Sequence, residues 1–126
     1  VARSRLKLFF DGGARPNPGQ MEAAVVIRGA VHLFEDMGQG SNTDAEWLAL
    51  IHALKLARTL GLTDVEFIGD SREVVLAANA ALRSGHASGG HAATMLALIA
   101  DTRPARIRWI KREQNLAGIA LEARYR

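Results

Sequence analysis

The chain has 126 residues, 48% of them apolar, with a formal net charge of +3 and no cysteine. That length and apolar share suit one compact domain with a real core, so residues 1–126 are expected to form a single domain. A disulfide scaffold and a thiolate metal centre are excluded, and no apolar run approaches the roughly 18 residues of a membrane-crossing helix. Together with the lack of a basic-then-apolar leader, this predicts a cytoplasmic protein without a membrane partner. A pI near 10.0 suits a polyanionic partner.

The first segment, Leu6-Lys7-Leu8-Phe9-Phe10-Asp11, reads as an apolar strand over about 5–11 that ends in an acid. Gly12-Gly13-Ala14-Arg15-Pro16-Asn17-Pro18-Gly19 then reads as a bent loop. Strands over 22–28 and 30–36 follow, joined by a tight turn at Arg28-Gly29-Ala30. Residues 43–60 form a helix, with apolar positions 47, 50, 51, 54 and 57 at helical spacing and Gly61 as its stop. A strand over 64–69 ends just before Asp70, and helices over 71–83 and 91–101 flank a flexible Ser84–Gly90 loop. A strand over 105–110 and a helix over 116–124 complete the chain. An antiparallel meander followed by alternating helices and strands predicts an α/β fold. Its core is a mixed five-stranded sheet, three strands antiparallel and then parallel ones, with helices on both faces.

Three acids stand out by position: Asp11 and Asp70 at strand ends and Glu46 at a helix start. Each has a local explanation. Asp11 serves as a turn residue, Thr43-Asp44-Ala45-Glu46 reads as a capping box, and Asp70 as the N-cap before Ser71-Arg72-Glu73. Against this, Glu46 shares a helical stripe with Ala49, Leu50, Ala53 and Ala57, where an unpaired charge is expensive. No lysine or arginine on that stripe offers itself. Clustered carboxylates raise one another's pKa values, and Mg²⁺, which prefers oxygen ligands, relieves the conflict. His52 reads as a core or boundary residue, and His86 and His91 as solvated loop residues. Trp47 and Trp109 read as core.

These pieces, in order, resemble type 1 ribonuclease H over nearly the whole chain. The matching segments are Phe10-Asp11-Gly12-Gly13-Ala14 with Asn17-Pro18-Gly19, Asn42-Thr43-Asp44-Ala45-Glu46-Trp47, Gly69-Asp70-Ser71, and Ile110-Lys111-Arg112-Glu113-Gln114-Asn115. The resemblance implies a ribonuclease H-like fold and an endonuclease that cuts the RNA strand of RNA–DNA hybrids, leaving 5′-phosphates; a monomer is the separate expectation. It implies two Mg²⁺ ions, or Mn²⁺, held by Asp11, Glu46 and Asp70. It also implies nucleic-acid contacts from Gly12, Asn17 and Asn42, with Arg112 as a phosphate contact. Only the 2′-hydroxyl distinguishes RNA from DNA locally, and short amide side chains on a Gly/Pro loop suit a shallow minor groove.

The sequence departs from that family at three places. The fourth acid expected early in the last helix falls on Ile119, with Glu122 one turn later as a candidate substitute that would join the catalytic set. No histidine precedes the last helix, where Asn115 reads as the N-cap. Arg83 through His91 lacks a basic, aromatic handle, which weakens phosphate binding. Arg106 and Arg108 share one face of the last strand, as an amphipathic pattern or as a phosphate-facing patch. The alternative function is a catalytically impaired domain that binds hybrid or double-stranded RNA.

Overall fold

Alternation of apolar side chains across a strand decides which residues share a face. In the computed structural model, which describes residues 5–100 and 103–125, β1 (Leu6–Arg15) turns Leu8 and Phe10 to one side and Phe9 to the other. β2 (Gly19–Ile27) and β3 (Ala30–Phe34) follow as an antiparallel meander, and β4 (Gln39–Gly40) adds two residues against β2. Next come α1 (Asn42–Thr59), β5 (Val65–Gly69), α2 (Arg72–Ser84) and α3 (Gly90–Leu98). β6 (Arg106–Trp109), a 3-10 turn (Arg112–Gln114) and α4 (Leu116–Ala123) complete the order. The sheet runs β3-β2-β1-β5-β6, with β5 parallel to β1 and β6 parallel to β5. This is the expected mixed sheet, and β4 is a short addition that no sequence pattern announced.

Helices cover both faces unequally. Leu8, Phe10, Val25, Leu50, Val74 and Met95 form one layer between the sheet and α1, α2 and α3. Each fully buried Leu or Phe there contributes about 2 kcal/mol. On the other face α4 sets only Ala117 and Leu121 against Ala24 and Val26.

Several boundaries differ from the sequence reading. β1 does not end at Asp11, because Asp11, Gly12 and Gly13 pair with Ala24, Ala23 and Glu22. The loop expected after Asp11 shrinks to residues 16–18, and β2 begins three residues earlier than position 22. β3 stops at Phe34, since Asp36 adopts a positive φ of 54°. The third helix ends at Leu98, and residue 101, where it was expected to end, lies outside the described residues. Trp109 is not core: it stays 36% exposed at the end of edge strand β6, while Ile107 is buried. Trp47 is buried as expected.

Pairing between β1 and β5 stops at Phe9 and Ile68. Asp11 and Asp70 each follow two residues later, so they face each other just past the last paired row. The first turn of α1 then descends onto β1 at Gly12. A Cβ there would lie 2.2 Å from the Ala45 carbonyl oxygen, so only glycine admits the helix this close.

Candidate active site

Ser41 caps α1, accepting the Asp44 amide at 3.0 Å while the Asp44 carboxylate accepts the Ser41 amide at 3.1 Å. The box thus closes two residues earlier than Thr43-Asp44-Ala45-Glu46 suggested, and Glu46 is released from capping. Its Oε1 accepts the Gly12 amide at 2.8 Å, while its Oε2 is buried with no hydrogen-bond partner. Likewise Ser71, not Asp70, caps α2, with its hydroxyl accepting the Val74 amide at 3.3 Å. The local explanations for Glu46 and Asp70 therefore fail, and both carboxylates are free to meet Asp11. One oxygen from each of Asp11, Glu46 and Asp70 lies within 4.8 Å of the others.

Such a cluster is electrostatically unfavourable by itself. Burial pushes the Asp11 carboxyl up to about 6, against the pull of a hydrogen bond with Glu46. Burial, and then the neighbouring charge of Asp11, pushes Glu46 up to about 10. Carboxylate oxygens crowded around one point, one of them buried and orphaned, fit a divalent cation, whose charge would offset the repulsion.

A positioning residue emerges that the sequence showed only as a helix cap. Asn115 is fully buried, and its Oδ1 accepts the Ala117 amide at 3.1 Å, as an N-cap should. Its Nδ2 donates to Asp70 Oδ2 at 2.9 Å and to the Phe10 carbonyl at 3.0 Å. One side chain thus ties α4, β1 and the acid after β5 together. Trp109 adds a second restraint, donating its indole N–H to the Asp70 carbonyl at 3.0 Å beneath the Arg72 guanidinium.

The remaining candidates lie around the acids. Asp11, Gly12, Asn42, Glu46, Asp70, Arg112 and Glu122 line one open depression of about 440 Å³. Asn42 Oδ1 accepts the Ala14 amide at 2.8 Å, and Asn17 Oδ1 accepts the Asn42 amide at 3.0 Å. Each oxygen is thus spent on bracing the loop, and no hydrogen bond from either NH₂ group occurs among the described residues. Arg112 is exposed, yet its charge acts on Asp11, lowering that carboxyl.

Glu122 does not join the acids. It sits 62% exposed on the rim, with Oε1 held by Arg15 Nη2 at 2.5 Å. Arg15 in turn lies over the Tyr125 ring, a contact with no signal in the sequence. Ile119, where the fourth acid was expected to fall, is 53% exposed. The α4 residue that faces the cluster is Gly118, where a Cβ would lie 3.4 Å from Asp11 Oδ2 and 3.5 Å from Asp70 Oδ2. His52 stacks on Phe34 at the core boundary as expected. His91, expected to be solvated, instead meets Asp44 at 3.0 Å. The Ser41 amide and then His91 hold the Asp44 carboxyl below the usual range.

This sheet order with three acids past the end of the β1–β5 pairing defines a ribonuclease H1-like domain. The chain belongs to the reverse transcriptase-like family, whose sequence model matches residues 9–123. A ribonuclease HI of Halobacterium salinarum is 36% identical over 75 residues, 56% of this chain, and the match spans only 38% of that relative. The crystal structure of ribonuclease H1 from the same archaeon superimposes with a TM-score of 0.70 at 26% identity, covering 95% of this chain and 99% of that one. The N-terminal ribonuclease H domain of a Mycobacterium tuberculosis protein gives 0.62 at 28%, covering 96% of each. A compost-metagenome ribonuclease H1 crystallised with an RNA/DNA hybrid shares the fold, with a TM-score of 0.67 at 22% identity and 89% coverage of each chain.

Proposed function

We propose that this chain is a metal-dependent endonuclease that hydrolyses the RNA strand of RNA–DNA hybrids, leaving 5′-phosphate ends. The observation that carries this reading is the buried, unpartnered Glu46 Oε2 within a cluster of three carboxylates. Asp11, Glu46 and Asp70 would hold Mg²⁺, or Mn²⁺, two ions being expected. When bound, such ions supply Lewis-acid activation of water and neutralise charge building on the phosphate and the departing oxygen.

The chain's own residues have separate tasks in this reading. Gly12 brings backbone close to the substrate while its amide fixes Glu46. The NH₂ groups of Asn17 and Asn42 face the minor groove and donate to sugar hydroxyls, and Arg112 meets a phosphate oxygen. Asn115 fixes Asp70, and so fixes the direction of its free oxygen. The relative crystallised with a hybrid supports the substrate class. Among the described residues no helix is long and apolar enough to cross a membrane.

The second reading, a binding domain without turnover, is favoured by one observation: α4 contributes no acid to the cluster and presents Gly118 there. Labelled RNA–DNA hybrid, duplex DNA, duplex RNA and a branched junction, each incubated with Mg²⁺ or Mn²⁺, separate the two. Cleavage of the hybrid alone, within its RNA strand, is the expected result. Hybrid that is bound yet intact under both ions would establish the second reading instead.

A further inference from the structure

The face of the sheet that carries α4 is only partly covered. α4 packs chiefly on β1 and β2 and touches β3; beyond it Glu66 and Ile68 on β5 stay buried at 7% and 0% exposure, while Lys7 on β1 and Arg106 on β6 are exposed. Register places three charged residues in one row across neighbouring strands there: Lys7 on β1, Glu66 on β5 and Arg106 on β6. The next row brings Phe9, Ile68 and Arg108. Arg108 Nε donates to Glu66 Oε1 at 2.5 Å. Glu66 is 7% exposed, and burial opposes its charge, yet Arg108, Arg106 and Lys7 together hold its carboxyl below the usual range.

The cluster therefore counts three cations against one anion. Arg108 is committed to Glu66, while Lys7 and Arg106 are exposed and form no hydrogen bond or short ion pair among the described residues. Two surplus charges exposed on one side of the sheet form a surface suited to a polyanion. Alternation along β6 carries the pattern from Arg106 to Arg108, and the strand leads on to Arg112 at the rim of the acid site. Arg106 stands level with Glu66, four residues before Asp70, which is about 13 Å along a strand. A duplex lying on the acids reaches that far within half a turn.

We infer that Lys7 and Arg106, exposed on either side of Glu66, form a second contact for the phosphate backbone of the bound nucleic acid. This rests on the hybrid-directed reading above and extends it. The contact carries no sequence information, and it supplies part of the phosphate binding that the uncharged residues 84–90 do not. A rival account exists: charges on an edge strand also guard against edge-to-edge pairing with other chains.

The test is fluorescence anisotropy with a 20-bp labelled RNA–DNA hybrid in EDTA, where binding is read without cleavage, across a KCl series. Lys7→Gln/Arg106→Gln leaves the Arg108–Glu66 pair intact. It should lower the slope of log affinity against log salt by about two, close to one per removed cation. Arg28→Gln/Lys55→Gln removes the same charge elsewhere, at the β2–β3 turn and on α1, and should leave the slope within error of the native one. An unchanged slope in the first pair, or an equal fall in the control, overturns the inference. So does self-association of the first pair in size-exclusion runs with the slope preserved, which is the edge-guard result. Native protein that cleaves hybrid but shows no Lys7/Arg106 effect sinks this inference alone. Native protein that shows the effect but never cleaves sinks the catalytic reading alone.

Discussion

Glu46 shows why the site needs neighbours to be understood. In sequence it looked like a capping residue or a half-buried acid in want of a partner. The structure removes the cap, because Ser41 and Asp44 satisfy each other first. What remains is a carboxyl whose folded form keeps its proton far above the ordinary 4.5, because burial and the charge of Asp11 both oppose ionisation. Glu46→Gln keeps the shape and abolishes that cost. In EDTA at pH 7.5 the variant should be more stable than the native chain by on the order of 1–3 kcal/mol in urea unfolding, with the gain vanishing near pH 4.5. Cleavage of hybrid should fall to background in the same variant. A destabilised Gln variant would mean that the acids are not in conflict. Asp70 was readable as an acid at a strand end, Asp11 was read so although β1 runs on past it, and their facing register was not readable. It depends on where β1 and β5 part, which no single segment encodes.

Elements position these side chains through a few polar contacts. α4 buries little, so its placement leans on Asn115 at its start and on a charged network at its end. There Arg124 bridges Glu22 at 2.7 Å and Glu35 at 2.8 Å, and the Tyr125 hydroxyl donates to Glu22. Replacing Asn115 with Ala removes a helix cap and leaves the Phe10 carbonyl without its partner. That should cost about 2–3 kcal/mol in chemical denaturation. Loss of less than about 0.5 kcal/mol would show that α4 does not depend on this residue. Asn before an apolar helix was legible as a cap. Its second and third bonds were not, because Phe10 and Asp70 lie 105 and 45 residues away. The elements themselves were legible from periodicity. β1 alone was misjudged badly, since Gly12 and Gly13 look like a loop until β2 pairs with them.

For the whole molecule, the acids link stability, pH and metal. Asp11 and Glu46 hold protons in the folded state over a range where the unfolded chain has released them. The metal-free fold is therefore favoured below the ordinary values of 3.8 and 4.5. That increment is lost as pH rises through about 6 and on toward about 10. Divalent metal reverses the loss, and at a hundredfold excess over its dissociation constant it adds about 2.7 kcal/mol. Differential scanning should show a larger Mg²⁺-dependent rise in Tm at pH 8 than at pH 5, where protons compete for the same oxygens. Equal rises would detach the metal from these residues. One consequence concerns the order in which the chain is made. Translation delivers Asp11, Glu46 and Asp70 well before Asn115, the residue that orients one of them. A nascent chain halted short of that asparagine carries the three acids without the side chain that braces Asp70.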